Sequence, residues 1–562
     1  MESRKIDSFD VNNKNERFAI QQMKQFIESE DKSYGKILVL YGLRRTGKTT
    51  MMEQTAKFYN NLKKCAFYEI TNDDSINDIK KILIEEKNKG TEIIFFDEIT
   101  KANAFITSSA VLPDIFAKEN MKIIVAGTDS LGFVLAERTE LFDRTFRVNT
   151  THIPYAEHSK VLNVNDIDDY IMYGGLMHKG LSDLQVSDYD SAKRYLNSAI
   201  AENIAFSIKS DPHDNQLKQL SFNEIRTIIE KLVELYSGTF NKEVMQKEIE
   251  KVSINEPINR LYHSEDFKDA LEPVLLKSKD ITKEFTSIIN ADSIIRTDIT
   301  EDMVKCFEQY LAEMDLLSSI NKKDFRYTDA LGWTELPNEK EIYIIQPAIK
   351  YFHLEKGKEF IENEVYYNQL TANQKEKFKE KLDEYIKGQM VEQIIVFDTS
   401  KDLPSSRYYV CKPVFTVNAR KAGEYDMLVY DKQDNKHWLF EIKHTTNSCI
   451  EQEKHFSNEY FQDVIAEKYG TCVAKCVLYR GQNFISNTNA LYINMSDFLI
   501  SVNMNKNMDF ALKDLKMIHE GKKLLEIKDD ITKNSIGEVK PFQTKKLKKR
   551  NDDYGYGRYH QE

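Results

Sequence analysis

The sequence predicts an α/β protein: a parallel sheet covered by helices on both faces, then a helical region, then a second α/β unit. Three observations predict it. From about Asp31 to Asn149, apolar strands alternate with amphipathic helices, the pattern of parallel strands joined by helical crossovers. From Asp166 to about Glu335, apolar residues recur at helical spacing, as in FNEIRTIIEKLVELY and MVKCFEQYLAEMDLLSSI. Beyond Glu359, two long helical stretches lead into YYVCKPVF, EYDMLVYD, HWLFEIKH and, after another helix, AKCVLYRG. The corresponding divisions are 1–160, 161–358 and 359–535, closed by a tail over 536–562.

The first element, Ile37-Leu38-Val39-Leu40-Tyr41, runs into G-x-x-x-x-G-K-T and then into a helix-forming sequence, which is the required context of a phosphate-binding P-loop. Gly42, Leu43, Arg44, Arg45, Thr46 and Gly47 form the loop, and Lys48, Thr49 and Thr50 open the helix. The glycines permit the tight turn that aims backbone N–H groups and the helix N-terminus at nucleotide phosphates. Lys48 supplies charge for the β- and γ-phosphates. The Thr49 hydroxyl is expected to ligate Mg²⁺, a hard cation that takes oxygen ligands. ATP and Mg²⁺ are the cofactors this implies.

The strand Glu92 to Glu98, EIIFFDE, ends in adjacent carboxylates and reads as Walker B. Asp97 is expected to hold the metal through water, and Glu98 to orient and deprotonate the attacking water. Cys65 to Ile70 is expected as a strand and Ser75 to Glu86 as a helix. The next strand, KIIVA (Lys122 to Ala126), ends in Gly127-Thr128-Asp129-Ser130, placing Thr128 where a γ-phosphate-sensing hydroxyl belongs; an ordinary polar turn is the plainer reading. Arg138 and Arg144 in AERTELFDRTFR are candidates for a charge-stabilising finger, or simply solvated arginines.

Composition bounds the rest. A length of 562 residues allows about three to four domains. With 41% hydrophobic and 30% charged residues, a soluble globular protein with more than one core is expected. No apolar run approaches a membrane span and the N-terminus lacks a signal-peptide core, so a cytoplasmic location and no membrane partner are expected. The six cysteines are scattered without zinc-site spacing and read as reduced thiols. A net charge of −11 argues against a surface that coats nucleic acid, although not against a local basic groove. Lys545-Lys546-Leu547-Lys548-Lys549-Arg550 opens a Gly/Tyr-rich end that reads as disordered, either a solubilising terminus or a nonspecific nucleic-acid contact.

The last unit carries a second constellation: Asp426 within EYDMLVYD, a polar turn, then Glu441-Ile442-Lys443 within HWLFEIKH. Strands joined by a turn form a hairpin, and period-two alternation puts Glu441 and Lys443 on one face. Asp426 and Glu441 can then share one Mg²⁺ that polarises a phosphodiester, while Lys443 orients water or stabilises developing charge. The arrangement resembles the PD-(D/E)xK nuclease core, as D-x₁₄-E-x-K, and Glu392 in KGQMVEQIIVF sits where that fold often supplies a further carboxylate.

Together these marks resemble the prokaryotic AAA-like "archaeal ATPase" family. The resemblance rests on GLRRTGKTT, IIFFDE, IIVAGTDS and AERTELFDRTFRVNTTHIPYAEH, which looks like the family's arginine-containing segment leading to a Pro-aromatic-x-Glu turn. YIMYGGLMHKG is similar to its double-glycine lid motif, with Met177 where a proline usually follows. CFEQYLAEMDLLSSI with EIYIIQPAIKYF resembles its winged-helix end, although Glu308, Glu313 and Asp315 weaken a DNA-binding reading of that part. The resemblance implies a P-loop NTPase core, a helical lid and winged-helix region, and a C-terminal α/β restriction-endonuclease-like domain. Two functions follow. One is an ATP-gated, metal-dependent enzyme acting on DNA. The other is a regulatory switch whose nuclease-like fold docks DNA or protein without cleavage. A protein partner or a homo-oligomer, with one subunit's arginine completing a neighbour's site, fits either.

Overall fold

A computed structural model describes residues 1–11, 15–127, 130–138, 140–177, 188–210, 217–237, 289–337, 339–362, 371–418 and 420–517, with positions 186 and 286. Thr128 and the basic tail lie outside the described residues, as does the side chain of Arg138.

The first sheet has six strands: β1 (Glu2–Ser3), β2 (Ile37–Tyr41), β3 (Cys65–Glu69), β4 (Ile93–Asp97), β5 (Lys122–Ala126) and β6 (Thr145–Asn149), in the order β1-β3-β4-β5-β2-β6. All neighbours pair in parallel except β1, which lies antiparallel along β3. Alternation along each strand sends side chains to two separate cores. Ile37 and Val39 join Ile94, Phe96, Ile123 and Val125 on one face. Leu38 and Leu40 join Ile93, Phe95, Ile124 and Ala126 on the other. Burial on both faces is why these strands read as unbroken apolar runs. Because β5 is inserted between β2 and β4, its C-terminal end lies between the P-loop and Walker B.

The helix expected over MVKCFEQYLAEMDLLSSI stops at Glu313. Asp315 adopts a left-handed φ of 56°, and LLSSI turns into β7 (Leu317–Thr328), which is followed by β8 (Gly332–Glu335) and β9 (Glu339–Ile344). The wholly helical expectation to Glu335 is therefore corrected. Strand pairing on both sides of β7 overrides a local apolar spacing that fits either period.

The remaining strands are β10 (Tyr408–Val417), β11 (Arg420–Glu424), β12 (Met427–Asp431), β13 (Lys436–Ile442), β14 (Thr471–Tyr479), β15 (Phe484–Ile485) and β16 (Leu491–Asn494). They share one ten-stranded sheet with β7, β8 and β9. The seam is a parallel pairing of Lys322–Tyr327 with Lys412–Val417, so the sheet runs across the division expected at 358/359. The long helix Ala372–Asp402 covers one face; its Ile395 and Val391 pack in the same core as Trp438 and Phe440 of β13. Among the described residues, no helix is long and apolar enough to cross a membrane, and all six cysteines are free.

Candidate functional site

The P-loop occupies residues 42–47 between β2 and the helix Lys48–Asn60. Gly47 caps that helix at φ 84°, a left-handed conformation that glycine adopts without strain. Lys48 is buried, and its ammonium donates to the carbonyls of Gly42 and Leu43, both at 2.8 Å. Burial pushes its pKa down to about 8, against the pull of Glu98 and Asp97. The cation is thus held over the loop, available to phosphate oxygens. Thr49 Oγ1 donates to Asp97 Oδ2 at 2.7 Å, which puts the two expected Mg²⁺ contacts side by side. Burial raises the Asp97 carboxyl to about 6 despite the Thr49 hydrogen bond. An oxygen-rich, buried acidic pocket of this kind fits a hard divalent cation.

Glu98 follows at φ 57°, its N–H donating to Asp97 Oδ1 at 3.0 Å and its carboxylate 3.9 Å from the Lys101 ammonium. A left-handed glutamate is costly, and such backbone strain gathers at functional positions. The turn swings Glu98 out of strand register and away from the sheet core. Arg144, in contrast, is held within its own surface by Asp114 at 3.3 Å and by the carbonyl of Glu140 at 2.8 Å.

Sequence reasoning missed Arg17. Its guanidinium is 5% exposed and forks onto Glu157, with both bonds at 2.9 Å. It also donates to the carbonyls of Thr46 (2.5 Å) and Thr150 (2.9 Å). Glu157 is the acid of the Pro154-Tyr155-Ala156-Glu157 turn, so that motif clamps the P-loop through an arginine from the N-terminal segment. Removing one partner of such a buried pair typically costs about 3–5 kcal/mol. A lone arginine ahead of a helix gives no sequence signal.

The double glycine packs where the lid was expected. Gly175 has φ 84°, and a Cβ there would stand 2.1 Å from Gln346 Oε1. Gln346 in turn donates to the carbonyl of Thr151 at 3.0 Å. Only glycine satisfies both demands, so Gly175→Ala is expected to displace this segment and lower the melting temperature, by a mechanism of strain plus overpacking worth about 1–3 kcal/mol.

A second cluster lies about the ends of β12 and β13. Asp426 sits just ahead of β12 instead of inside it. Its Oδ2 accepts from the Ile442 N–H at 2.7 Å and the Lys443 ammonium at 2.8 Å. Lys443 also meets Glu441 at 2.8 Å, and Glu441 meets His455 Nδ1 at 2.9 Å. Burial and the Asp426 charge raise the Glu441 carboxyl. Burial alone would lower the Lys443 ammonium, but the two carboxylates outweigh it and hold it above its ordinary value. Two buried carboxylates around one cation have the chemistry of a divalent-metal site with an adjacent lysine.

Glu392 projects from the long helix into an ion pair with Lys412, which also faces Glu424 at 3.7 Å. Burial and Asp426 push its carboxyl upward. Among the described residues, the three carboxylates close enough to share one ion are Asp431, Asp434 and Asp509, not Glu392 with Asp426 and Glu441. Each member of that triplet is already ion-paired with Arg407 or Lys436. The expectation of Glu392 as a third ligand is thus not met in this geometry, because Lys412 draws it aside.

Between the two sites runs the helix Ile167–Tyr173. Near its start, Asp168 accepts from His444 Nε2 at 2.6 Å and Arg480 at 2.9 Å, with Lys387 at 3.8 Å. Burial would raise the Asp168 carboxyl, but the His444 hydrogen bond and the charges of Arg480 and Lys387 hold it below its usual range. His444 directly follows Lys443, while beyond the far end of the helix and its two glycines the Met177 N–H donates to the Arg45 carbonyl of the P-loop at 2.8 Å.

Residues 34–158 match the AAA domain family. No curated protein matches the chain. Among solved structures, the Aeropyrum pernix ORC1 protein in complex with DNA is similar at 12% identity, covering 65% of this chain and 97% of that one, with a TM-score of 0.23. The S. cerevisiae Hsp104:casein complex in its extended conformation is similar at 15% identity over 44% of this chain and 48% of that one, TM-score 0.24. The S. cerevisiae Hsp104-ADP complex is similar at 13% identity over 69% and 56%, TM-score 0.24. Residues 34–158 are an AAA-type P-loop ATPase domain.

Proposed function

We propose that the chain is a Mg-ATP-driven switch of the "archaeal ATPase" kind, whose nucleotide state governs a C-terminal PD-(D/E)xK-like unit that cleaves DNA. The observation that carries this reading is the segment 167–177: Asp168 at its start bonds His444, next to Lys443, and Met177 at its end donates its N–H to the Arg45 carbonyl of the P-loop. In the ATPase step, Gly42 to Lys48 would bind the phosphates, Thr49 directly and Asp97 through water would hold a Mg²⁺ that offsets phosphate charge, and Glu98 would take the proton from the attacking water. Thr128 stands as the candidate sensor, and Arg138 as the candidate finger toward a second copy. In the nuclease-like unit, a divalent ion held by Asp426 and Glu441 would polarise the phosphodiester. Lys443, hydrogen-bonded to both acids, is placed to orient water or to meet the developing charge.

A second reading, a docking module for DNA or protein without cleavage, is favoured by one observation. Asp426 and Glu441 already have Lys443 and His455 as partners, and Glu392 is tied to Lys412. The test is a Mg²⁺ or Mn²⁺ nuclease assay on linear, nicked and single-stranded DNA, with and without ATP. Cleavage lost on Asp426→Asn supports the first reading; no cleavage in any nucleotide state, with retained ATP-dependent binding, supports the second.

Transmission through the helix yields its own prediction. Asp168→Asn removes the charge that His444, Arg480 and Lys387 share, worth roughly 1.5–3 kcal/mol for a hydrogen bond to a charged group. ATP hydrolysis should persist while its effect on the C-terminal unit weakens. Hydrogen exchange over 166–177 should differ between ADP and a nonhydrolysable ATP analogue in the wild type; identical protection in both states would remove the proposed lid transition.

A further inference from the structure

Three successive P-loop carbonyls are held from outside the loop. Arg44 O accepts from the Tyr195 hydroxyl at 2.7 Å, Arg45 O from the Met177 N–H at 2.8 Å, and Thr46 O from Arg17 at 2.5 Å. In a trans peptide, the C=O and the following N–H point in opposite directions. Fixing these carbonyls outward therefore turns the N–H groups of Arg45, Thr46 and Gly47 inward. Among the described residues, no acceptor takes the N–H groups of Arg45 and Gly47, while the turn at 44–45 leans the Thr46 N–H toward the Leu43 carbonyl. Left-handed φ angles at Arg45 (65°) and Gly47 (84°) complete the concave arrangement of N–H groups that suits an anion. None of the three anchors lies within the matched residues 34–158.

We infer that Arg17, Tyr195 and the Met177 backbone are positioning residues for nucleotide phosphates: they pre-set the N–H cradle of the P-loop from the N-terminal segment and the lid. The inference rests on the ATPase reading and deepens it. Each anchor is chemically distinct. Tyr195 is 3% exposed; its hydroxyl holds the loop backbone, while its ring belongs to the lid core and faces the Arg45 guanidinium at 5.7 Å. Arg17 spans the loop carbonyl and Glu157 with one planar fork, a geometry that lysine cannot reproduce. Met177 offers a main-chain N–H, a bond that proline at 177 could not make. Since the cradle serves the α- and β-phosphates, its loss should weaken ADP and ATP alike.

The test is calorimetric titration of the full chain with Mg-ADP and Mg-ATP, beside thermal unfolding without nucleotide. Tyr195→Phe keeps the ring and deletes one anchor; it should lower both affinities about three- to tenfold, as expected for one hydrogen bond, in a chain that still folds cooperatively with only a small drop in nucleotide-free melting temperature. Arg17→Lys keeps the charge beside Glu157 and should lower both by about tenfold or more. If Arg17→Lys fails to fold, Tyr195→Phe decides. Wild-type affinity in folded Tyr195→Phe overturns the inference while the ATPase reading stands, and so does a loss confined to ATP. A wild-type chain that binds neither nucleotide overturns both.

Discussion

Glu98→Gln should bind Mg-ATP as the wild type does and hydrolyse it about 10²- to 10⁴-fold more slowly, the usual contribution of a positioned general base. The substitution is nearly isosteric, and it leaves intact the Glu98 N–H bond to Asp97 and the Thr49 contact beyond it. Only the group that accepts the proton from water changes. Lys48→Ala makes the complementary case. It removes the buried ammonium that bonds the loop carbonyls, so nucleotide binding itself should fail, at roughly 1.5–3 kcal/mol per charged hydrogen bond lost. Single-turnover hydrolysis and equilibrium binding separate the two effects. Turnover at the wild-type rate in Glu98→Gln would sink the assignment of the base.

The second large effect belongs to Asp426. Replacement by alanine would strip the Ile442 N–H of its acceptor as well as removing the charge, so Asp426→Asn is the cleaner variant. It should eliminate metal-dependent cleavage while ATP hydrolysis continues, because the phosphate site lies on the other sheet. Lys443→Met gives a readout that does not depend on activity. It leaves Asp426 and Glu441 crowded and deprived of the ammonium that both contact at 2.8 Å. In chelator the variant should melt below the wild type, since an uncompensated buried charge pair is costly, and Mn²⁺ should restore it more than it stabilises the wild type. Absence of any Mn²⁺-dependent shift in either protein would leave the docking reading in possession of the C-terminal unit.

Much of the first sheet was legible because its information is local. Lys122 to Ala126 and Ile37 to Tyr41 emerge with the bounds read from their apolar runs, and the strand from Cys65 ends one residue early, at Glu69. Two-sided burial demands unbroken apolar strands, and phosphate binding demands glycines and a lysine at set spacing, so both leave marks that one sequence can display. Glu441 and Lys443 meet at 2.8 Å, but β13 ends at Ile442, so Lys443 stands one residue beyond the strand whose alternation was expected to place it. What tertiary structure alone decided was every feature whose partner lies far along the chain. The switch from helix to β7 at Asp315 depends on ladders to β9 and β10 that local periodicity does not specify. Glu392 turned to Lys412, a choice made by the approach of a helix to a strand 20 residues away. Arg17 and Tyr195, separated from Thr46 and Arg44 by 29 and 151 residues, look in sequence like any other arginine and tyrosine. Their role exists only once packing brings a donor to a particular backbone carbonyl, because every residue offers that same carbonyl and nothing in its side chain marks which one will be held.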